Sequence, residues 1–393
     1  MLLLGLCAAL LCSAALAETA EMADMANTDS NDIIYGHCTM PDGRVIFSGC
    51  LEALDVMQPS VPRLLCLNPD RTVCWEYREQ DSNIVGYGPV YAVDGNTIAV
   101  SFTGQNSSGV KFFTPDGQPA RSPLSFPNVE GEYYSLDAFG LLKKTYTEAL
   151  EEKSEEYIGW DGNLLFRWDG PAPIWDGYTL AEADGLVMSG RSNDDPEHNN
   201  AKLMKVDYSG NTVWETTLPF LSEQTDSSVL GNCVKTADGG YLALLMEYDD
   251  DAEEDDLFRS YALVRFDAAG RLLWTNRDSF AEREREYYFW TVAEYNGKGL
   301  VCYSQEDPET GLAYMRYLWF DGSGQEVGLT ENRFAKEELP RFSSFDRISV
   351  SDDGMVLMGD GLWHEIAIWG NSEDGAGTME NGQDNFLVRV PEL

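Results

Sequence analysis

The chain has 393 residues, with 27 basic against 67 acidic side chains and a formal net charge of −40. That charge excludes a nucleic-acid partner, because phosphate binding needs a basic surface. Hydrophobic content of 43% with 12% aromatic residues excludes global disorder.

In chain order, the first element is an apolar run, Leu2 to Leu16, that ends in Ala15-Leu16-Ala17 before Glu18. It reads as a signal peptide over residues 1–17, cut after Ala17. Residues 18–28 form an acidic N-terminal segment, and 29–393 read as one folded unit. No later run reaches the roughly 18 apolar residues a membrane helix needs. The expectation is an exported monomer, secreted or otherwise extracytoplasmic, with no membrane span.

Cys7 and Cys12 lie in the leader, which leaves Cys38, Cys50, Cys66, Cys74, Cys233 and Cys302. An even number in an exported chain permits disulfides. Cys66 and Cys74 stand four residues either side of Asp70, so they could face each other across paired strands as a disulfide. The alternative is six buried thiols acting as small apolar side chains, which is the preferred reading for Cys233 and Cys302.

One pattern then repeats. Lys202–Trp214 (KLMKVDYSGNTVW) and Ala262–Trp274 (ALVRFDAAGRLLW) each read as a strand, a D-x-x-G turn and a second strand with Trp seven residues after the Asp. The frame recurs at Asn68…Trp75, Thr114…Arg121, Gly159…Phe166 and Asp321…Gly328. Upstream of each lies a D-G or N-G turn leading into an apolar run, at Gly43, Gly95, Gly185, Gly239, Gly297 and Gly354, with a degenerate copy at Gly140. Such turns need positive φ, where Gly and Asn cost least. Seven units roughly 50 residues long, each reading as four short strands a, b, c and d, define a seven-bladed all-β propeller of antiparallel blades. The last unit ends at Phe386–Leu393, which aligns with strand c, so the seventh blade has three strands unless the N-terminal segment supplies a fourth. The strand-d Trp should pack into the next blade.

The D-x-x-G-x-x-x-W unit after an apolar strand resembles the PQQ-like repeat family of propellers. That family includes quinoprotein dehydrogenases and non-catalytic outer-membrane assembly scaffolds. The resemblance implies the fold. It does not imply the quinone cofactor, because the adjacent Cys-Cys pair of the dehydrogenases is missing.

Chemistry is less legible. His364-Glu365 begins like a zinc-protease H-E-x-x-H but has Ile368 where the second His belongs. No cofactor is expected, and calcium is the weak alternative for the acid-rich loops. Acid collects between strands b and c: Glu148, Glu151, Glu152, Glu155 and Glu156 in unit three, and Asp249, Asp250, Asp251, Asp255 and Asp256 in unit five. These loops should share one face, either to capture a basic or cationic partner or simply to solvate. Aromatics collect near the start of strand a, at Tyr35, Tyr87, Tyr133, Tyr178, Tyr288 and Trp290. They are candidates for a stacking surface at the channel mouth, or else for packing between blades. The expected function is a non-enzymatic module binding a protein, peptide or glycan. The alternative is an extracellular polysaccharide hydrolase or lyase with a carboxylate pair in the channel.

Overall fold

The turns between strands c and d form because one carboxylate substitutes for strand partners that a reversing chain lacks. In the computed structural model of the chain, Asp207 Oδ1 accepts the backbone N–H of Ser209 at 2.8 Å and of Asn211 at 2.9 Å. Asp267 does the same for Ala269 and Arg271, and Asp321 for Ser323 and Gln325. Glycine closes each turn, with φ of 79° at Gly210, 72° at Gly270 and 83° at Gly324. A residue with a Cβ is strained there.

The structure describes residues 30–53, 61–127, 132–146, 152–169, 173–192, 199–221, 225–248, 258–280, 291–306, 313–334, 347–350, 355–363 and 383–393, except 71 and 392. The first sheet holds β1 (Ser30–Thr39), β2 (Val45–Ala53), β3 (Val61–Leu67) and β4 (Val73–Arg78). The second holds β5 (Ile84–Asp94), β6 (Thr97–Gly104), β7 (Ser107–Phe113) and β8 (Pro119–Pro127). In the third are β9 (Glu132–Leu136), β10 (Gly140–Tyr146), β11 (Glu152–Gly159) and β12 (Leu164–Asp169). The fourth contains β13 (Ile174–Glu182), β14 (Gly185–Ser192), β15 (Ala201–Val206) and β16 (Thr212–Thr217). The fifth contains β17 (Ser227–Lys235), β18 (Tyr241–Tyr248), β19 (Phe258–Phe266) and β20 (Leu272–Asn276). The sixth is β21 (Thr291–Tyr295), β22 (Lys298–Glu306), β23 (Ala313–Phe320) and β24 (Glu326–Phe334). Last come β25 (Arg347–Val350), β26 (Met355–Trp363) and β27 (Gln383–Arg389). Each sheet pairs its strands in chain order. The protein is all-β, and its four-stranded antiparallel sheets resemble propeller blades.

Apolar side chains on both faces of a sheet need a neighbour on each side, and the sheets supply it to one another. Ile46, Leu64 and Cys66 of the first sheet share a buried cluster with Tyr87, Val90 and Val100 of the second. Tyr157 and Phe166 of the third join Leu186, Met188 and Met204 of the fourth. Leu242 and Leu263 of the fifth join Val301, Leu318 and Phe320 of the sixth.

A second interlock runs along the outer strands. The Trp75 ring lies over Gly117 of the next sheet, where an added Cβ would stand 2.7 Å from it. Trp274 covers Gly324 in the same way at 2.6 Å, and Trp214 covers Gly270 more closely still. Phe166 takes this place against Gly210. Hydrogen bonds fix the arrangement: Trp75 Nε1 donates to the Pro115 carbonyl at 2.8 Å, and Asn276 Nδ2 to the Gly324 carbonyl at 2.6 Å. The expected packing of the strand-d Trp into the following sheet is what the structure has. At the sixth sheet the sizes reverse: Gly328 holds the Trp position, and Leu393 packs against it.

Three expectations need correction. Arg121 does not fill the Trp position; its guanidinium lies 3.6 Å above the Phe112 ring, and two register shifts between β7 and β8 bring Leu124 to Gly162 instead. Cys66 does not oppose Cys74. A bulge between β3 and β4 pairs Cys66 with Trp75 and leaves Cys74 exposed, and both are free thiols. Glu152, Glu155 and Glu156 belong to β11 and not to a loop. Glu155 is fully buried and pairs with Lys144 at 2.5 Å.

The interlock predicts a contrast between two glycines of similar φ. Gly270→Ala forces a Cβ into the Trp214 ring and should cost about 2–4 kcal/mol, strain and overpacking together. Gly239→Ala, whose Cβ would meet only Ala268 at 4.0 Å, should cost about 1 kcal/mol from φ alone. Urea unfolding of both variants checks this, and equal losses would contradict it.

Candidate functional site

The first strand of a sheet lies beside only one partner strand, so it must be shaped by its own irregularities. Bulges recur there at equivalent registers. Tyr35 is the extra residue between Ile34 and Gly36 in β1; Gly88 and Pro89 interrupt β5; Asp176 and Gly177 interrupt β13; Gly231 and Asn232 interrupt β17. A bulge bends its strand and re-aims the side chains around it. Serines on the second strands reach the bulges of the next sheet. Ser48 Oγ donates to the Gly88 carbonyl at 2.5 Å, and Ser189 Oγ to the Gly231 carbonyl at 2.9 Å. Asn232 carries the contact onward, with Nδ2 on Thr291 Oγ1 at 2.8 Å and Oδ1 accepting the Val292 N–H. The second strand of one sheet is thus tied to the bulge in the first strand of the next, and β17 is tied directly to β21.

Two candidate aromatics sit at these bulges partly exposed to solvent: Tyr35 is 38% exposed and Tyr178 is 55% exposed. Tyr87 is not a surface residue. It is 1% exposed within the core between the first two sheets, and its hydroxyl donates to Glu79. Tyr133 lies on β9 opposite Lys144. Tyr288 and Trp290 lie outside the described residues, as do Asp249, Asp250, Asp251, Asp255 and Asp256.

Buried carboxylates form a second group that sequence reasoning missed. Glu79 receives Lys111, the Tyr87 hydroxyl and two backbone N–H groups, those of Gln80 and Asp81 at 2.9 Å. Glu182, at the end of β13, binds Lys205 at 2.6 Å, Lys235 at 2.5 Å and the Tyr241 hydroxyl at 3.0 Å. Burial pushes its carboxyl up, but these donors outweigh burial and hold it below the ordinary range. Lys205, also bonded to Asp184 at 2.6 Å, is held above the ordinary lysine range by those carboxylates despite its own burial. Asp137 behaves oppositely. It accepts the N–H groups of Phe139 and Gly140 and the Tyr157 hydroxyl, yet burial dominates and raises its carboxyl. His37, stacked 6.2 Å from Phe47, is lowered to about 4 by burial. Among the described residues no three His, Cys, Asp or Glu side chains converge as a metal site. The signal for the carboxylates was a complementary lysine on a strand distant in sequence, such as Lys111, Lys205 or Lys235, which becomes visible only once the sheets are placed.

No protein-family model and no curated protein sequence matches the chain. Solved structures do match in fold. A prolyl endopeptidase is similar over 88% of this chain and 45% of its own, with a TM-score of 0.51 and 9% identity. An acylaminoacyl peptidase from Pyrococcus horikoshii is similar over 84% of this chain and 49% of its own, with a TM-score of 0.51 and 10% identity. The β-propeller domain of the Trilobed protease from Pyrococcus furiosus is similar over 92% and 97%, with a TM-score of 0.49 and 11% identity. The chain spans about half the length of the two peptidases. The likeness is one of β-propeller-like fold, and it does not point specifically to the PQQ-like repeat.

The two buried acids predict opposite pH signatures. Glu182 has a lowered carboxyl, so its stabilisation is complete above the ordinary value of 4.5 and is lost as pH falls through the folded value. Glu182→Gln should therefore destabilise at pH 7, with the difference from wild type vanishing in acid. Asp137 has a raised carboxyl, so wild type loses stability as pH climbs above 3.8. Asp137→Asn should gain on wild type over that rise. Chemical unfolding between pH 3 and 7 reads both, and parallel pH curves for the two variants would contradict the assignment.

Proposed function

We propose that the seven sheets close into a ring and that the protein is an exported, non-enzymatic binding propeller. Ring closure is supported by the place of β1, which packs beside β26 and β27 as β17 packs beside β14 and β15, and β5 beside β2 and β3. In this reading the seventh blade has three strands. The inner strands then surround a channel, and the stitched bulges form a collar around it.

The observation that carries the binding site is the pair Tyr35 and Tyr178. Both are exposed, and both stand at a bulge of an innermost strand. Large, partly exposed rings on a stiffened frame lose little entropy on binding and offer flat faces for stacking. A glycan or an extended peptide is the class of partner that uses such faces. The charge of −40 and the acid-rich loops, Asp249–Asp251 and Asp255–Asp256 among them, favour a neutral or basic partner over an anionic polymer. The buried acids Glu79, Glu155 and Glu182 each hold a lysine, which gives them a use in joining strands and sheets.

A glycan and peptide array with the purified protein identifies the partner. Tyr35→Ala and Tyr178→Ala should each weaken binding about three- to tenfold while leaving the melting temperature unchanged, since an aromatic contact is worth about 0.5–1.5 kcal/mol. Unchanged affinity in both variants would remove the tyrosine site. Measurable turnover of the bound ligand would replace the binding module with the enzyme reading.

A further inference from the structure

Almost every described cation of this chain already has a match. Lys111 holds Glu79, Lys144 holds Glu155, Lys202 holds Glu215, Arg265 holds Asp238 and Arg316 holds Glu331. Arg121, Arg191 and Lys298 lie over the rings of Phe112, Tyr248 and Trp319. Arg277 differs. Among the described residues its guanidinium meets neither a carboxylate nor a ring, and its one hydrogen bond is a long one, 3.4 Å from NH1 to the Leu221 carbonyl. In a chain with 67 acidic residues, a half-buried guanidinium without a counter-charge among the described residues calls for an explanation.

Its surroundings supply one. Arg277 lines a groove of about 540 Å³ at the outer edge of the fifth and sixth sheets, together with Thr275, Asn276, Asp278, Ser323 and Gln325. Asn276 is committed to the structure, with Nδ2 on the Gly324 carbonyl and Oδ1 accepting the Ser279 N–H. Ser323 is committed too, its hydroxyl donating to Asp321 at 2.6 Å. The side chains of Thr275, Asp278 and Gln325 make no such bonds among the described residues. Glu247 is the nearby buried acid, but it accepts the Leu221 N–H while Arg277 donates to the Leu221 carbonyl, so the two bind opposite ends of that residue's backbone.

We propose that this groove binds a small monocarboxylate. Its carboxylate seats on the Arg277 fork, and its adjacent hydroxyl or amide groups meet Thr275, Gln325 and Asp278. A planar guanidinium donates two parallel N–H bonds to a carboxylate, which a single carbonyl cannot accept. The groove is shallow and open, so it takes the carboxylate and its neighbouring groups and leaves the rest of the ligand in solvent. The overall negative field excludes polyanions and sets the ligand at a single charge. This site stands apart from the tyrosine collar and does not depend on it.

Two sources offer that chemistry, an acid sugar and a peptide C-terminus. The test uses the ¹⁵N-labelled full chain and the Arg277 Nε–H resonance, assigned by its loss in Arg277→Gln. Sodium glucuronate and sodium N-acetylglycylglycinate are titrated separately, with the neutral methyl ester of glucuronic acid as control. A carboxylate should shift the resonance with a Kd of about 1 mM or below, and the ester should not. Arg277→Lys should weaken binding about tenfold, because the charge stays while the fork is lost. Arg277→Gln should abolish binding, read by calorimetry, at an unchanged melting temperature. The tighter of the two carboxylates names the source. No shift from either at about 20 mM, an equal shift from the ester, or undiminished binding to Arg277→Gln would overturn the proposal.

Discussion

The structure rests on the contact between a large outer-strand side chain and the glycine of the next sheet's turn. Sheets of this kind slide easily over one another, because apolar faces alone are not selective. Setting Trp75, Phe166, Trp214 and Trp274 onto glycines gives each junction a single register. The glycine meets two demands at once, since positive φ closes its own turn and the missing Cβ admits the neighbour's ring. Neither demand could be met by another residue without costing the other. The inner strands can then carry bulges, because the outer interlock already holds the sheets in place.

Charge is arranged around that frame with the same economy. A chain of net charge −40 has few cations, and the buried ones sit with acids. Lys205 and Lys235 converge on Glu182, which joins the fourth sheet to the fifth, while Lys144 meets Glu155 within the third. Burying such pairs is expensive in desolvation, and only close, multiply bonded geometry recovers it. Asp137 marks the limit of the scheme. Tyr157 and two backbone N–H groups are all it receives, and its carboxyl rises accordingly.

The repeat was legible in the sequence because turns have strict chemistry. D-x-x-G, D-G and N-G patterns located the described a–b and c–d junctions apart from the Asn68-Pro69-Asp70 turn of the first sheet, and the Trp seven residues after Asp announced its own packing. What remained hidden was register. Gly36, Gly88, Gly177 and Gly231 read as ordinary strand residues until pairing placed them at bulges. Tyr87 looked like Tyr35 and Tyr178, but its register ahead of a bulge and the waiting Glu79 turned it into the core. Cys66 and Cys74 had the spacing to face each other, but the bulge puts Trp75 opposite Cys66 and leaves Cys74 as the extra residue on β4. Arg277 carried no signal at all, since an unmatched cation is recognisable only after its neighbours are known.

Gly328 and Leu393 exchange the sizes that every other outer interlock uses. Five interchangeable junctions would let a partly formed array dock any sheet behind any other, or skip one. A glycine at the sixth sheet cannot fill a glycine notch, so none of the five preceding turns can seat there. The inverted pair therefore acts as an address. It marks the outer edge of the sixth sheet off from those of the other described sheets, and it makes a shuffled order the less well-packed outcome.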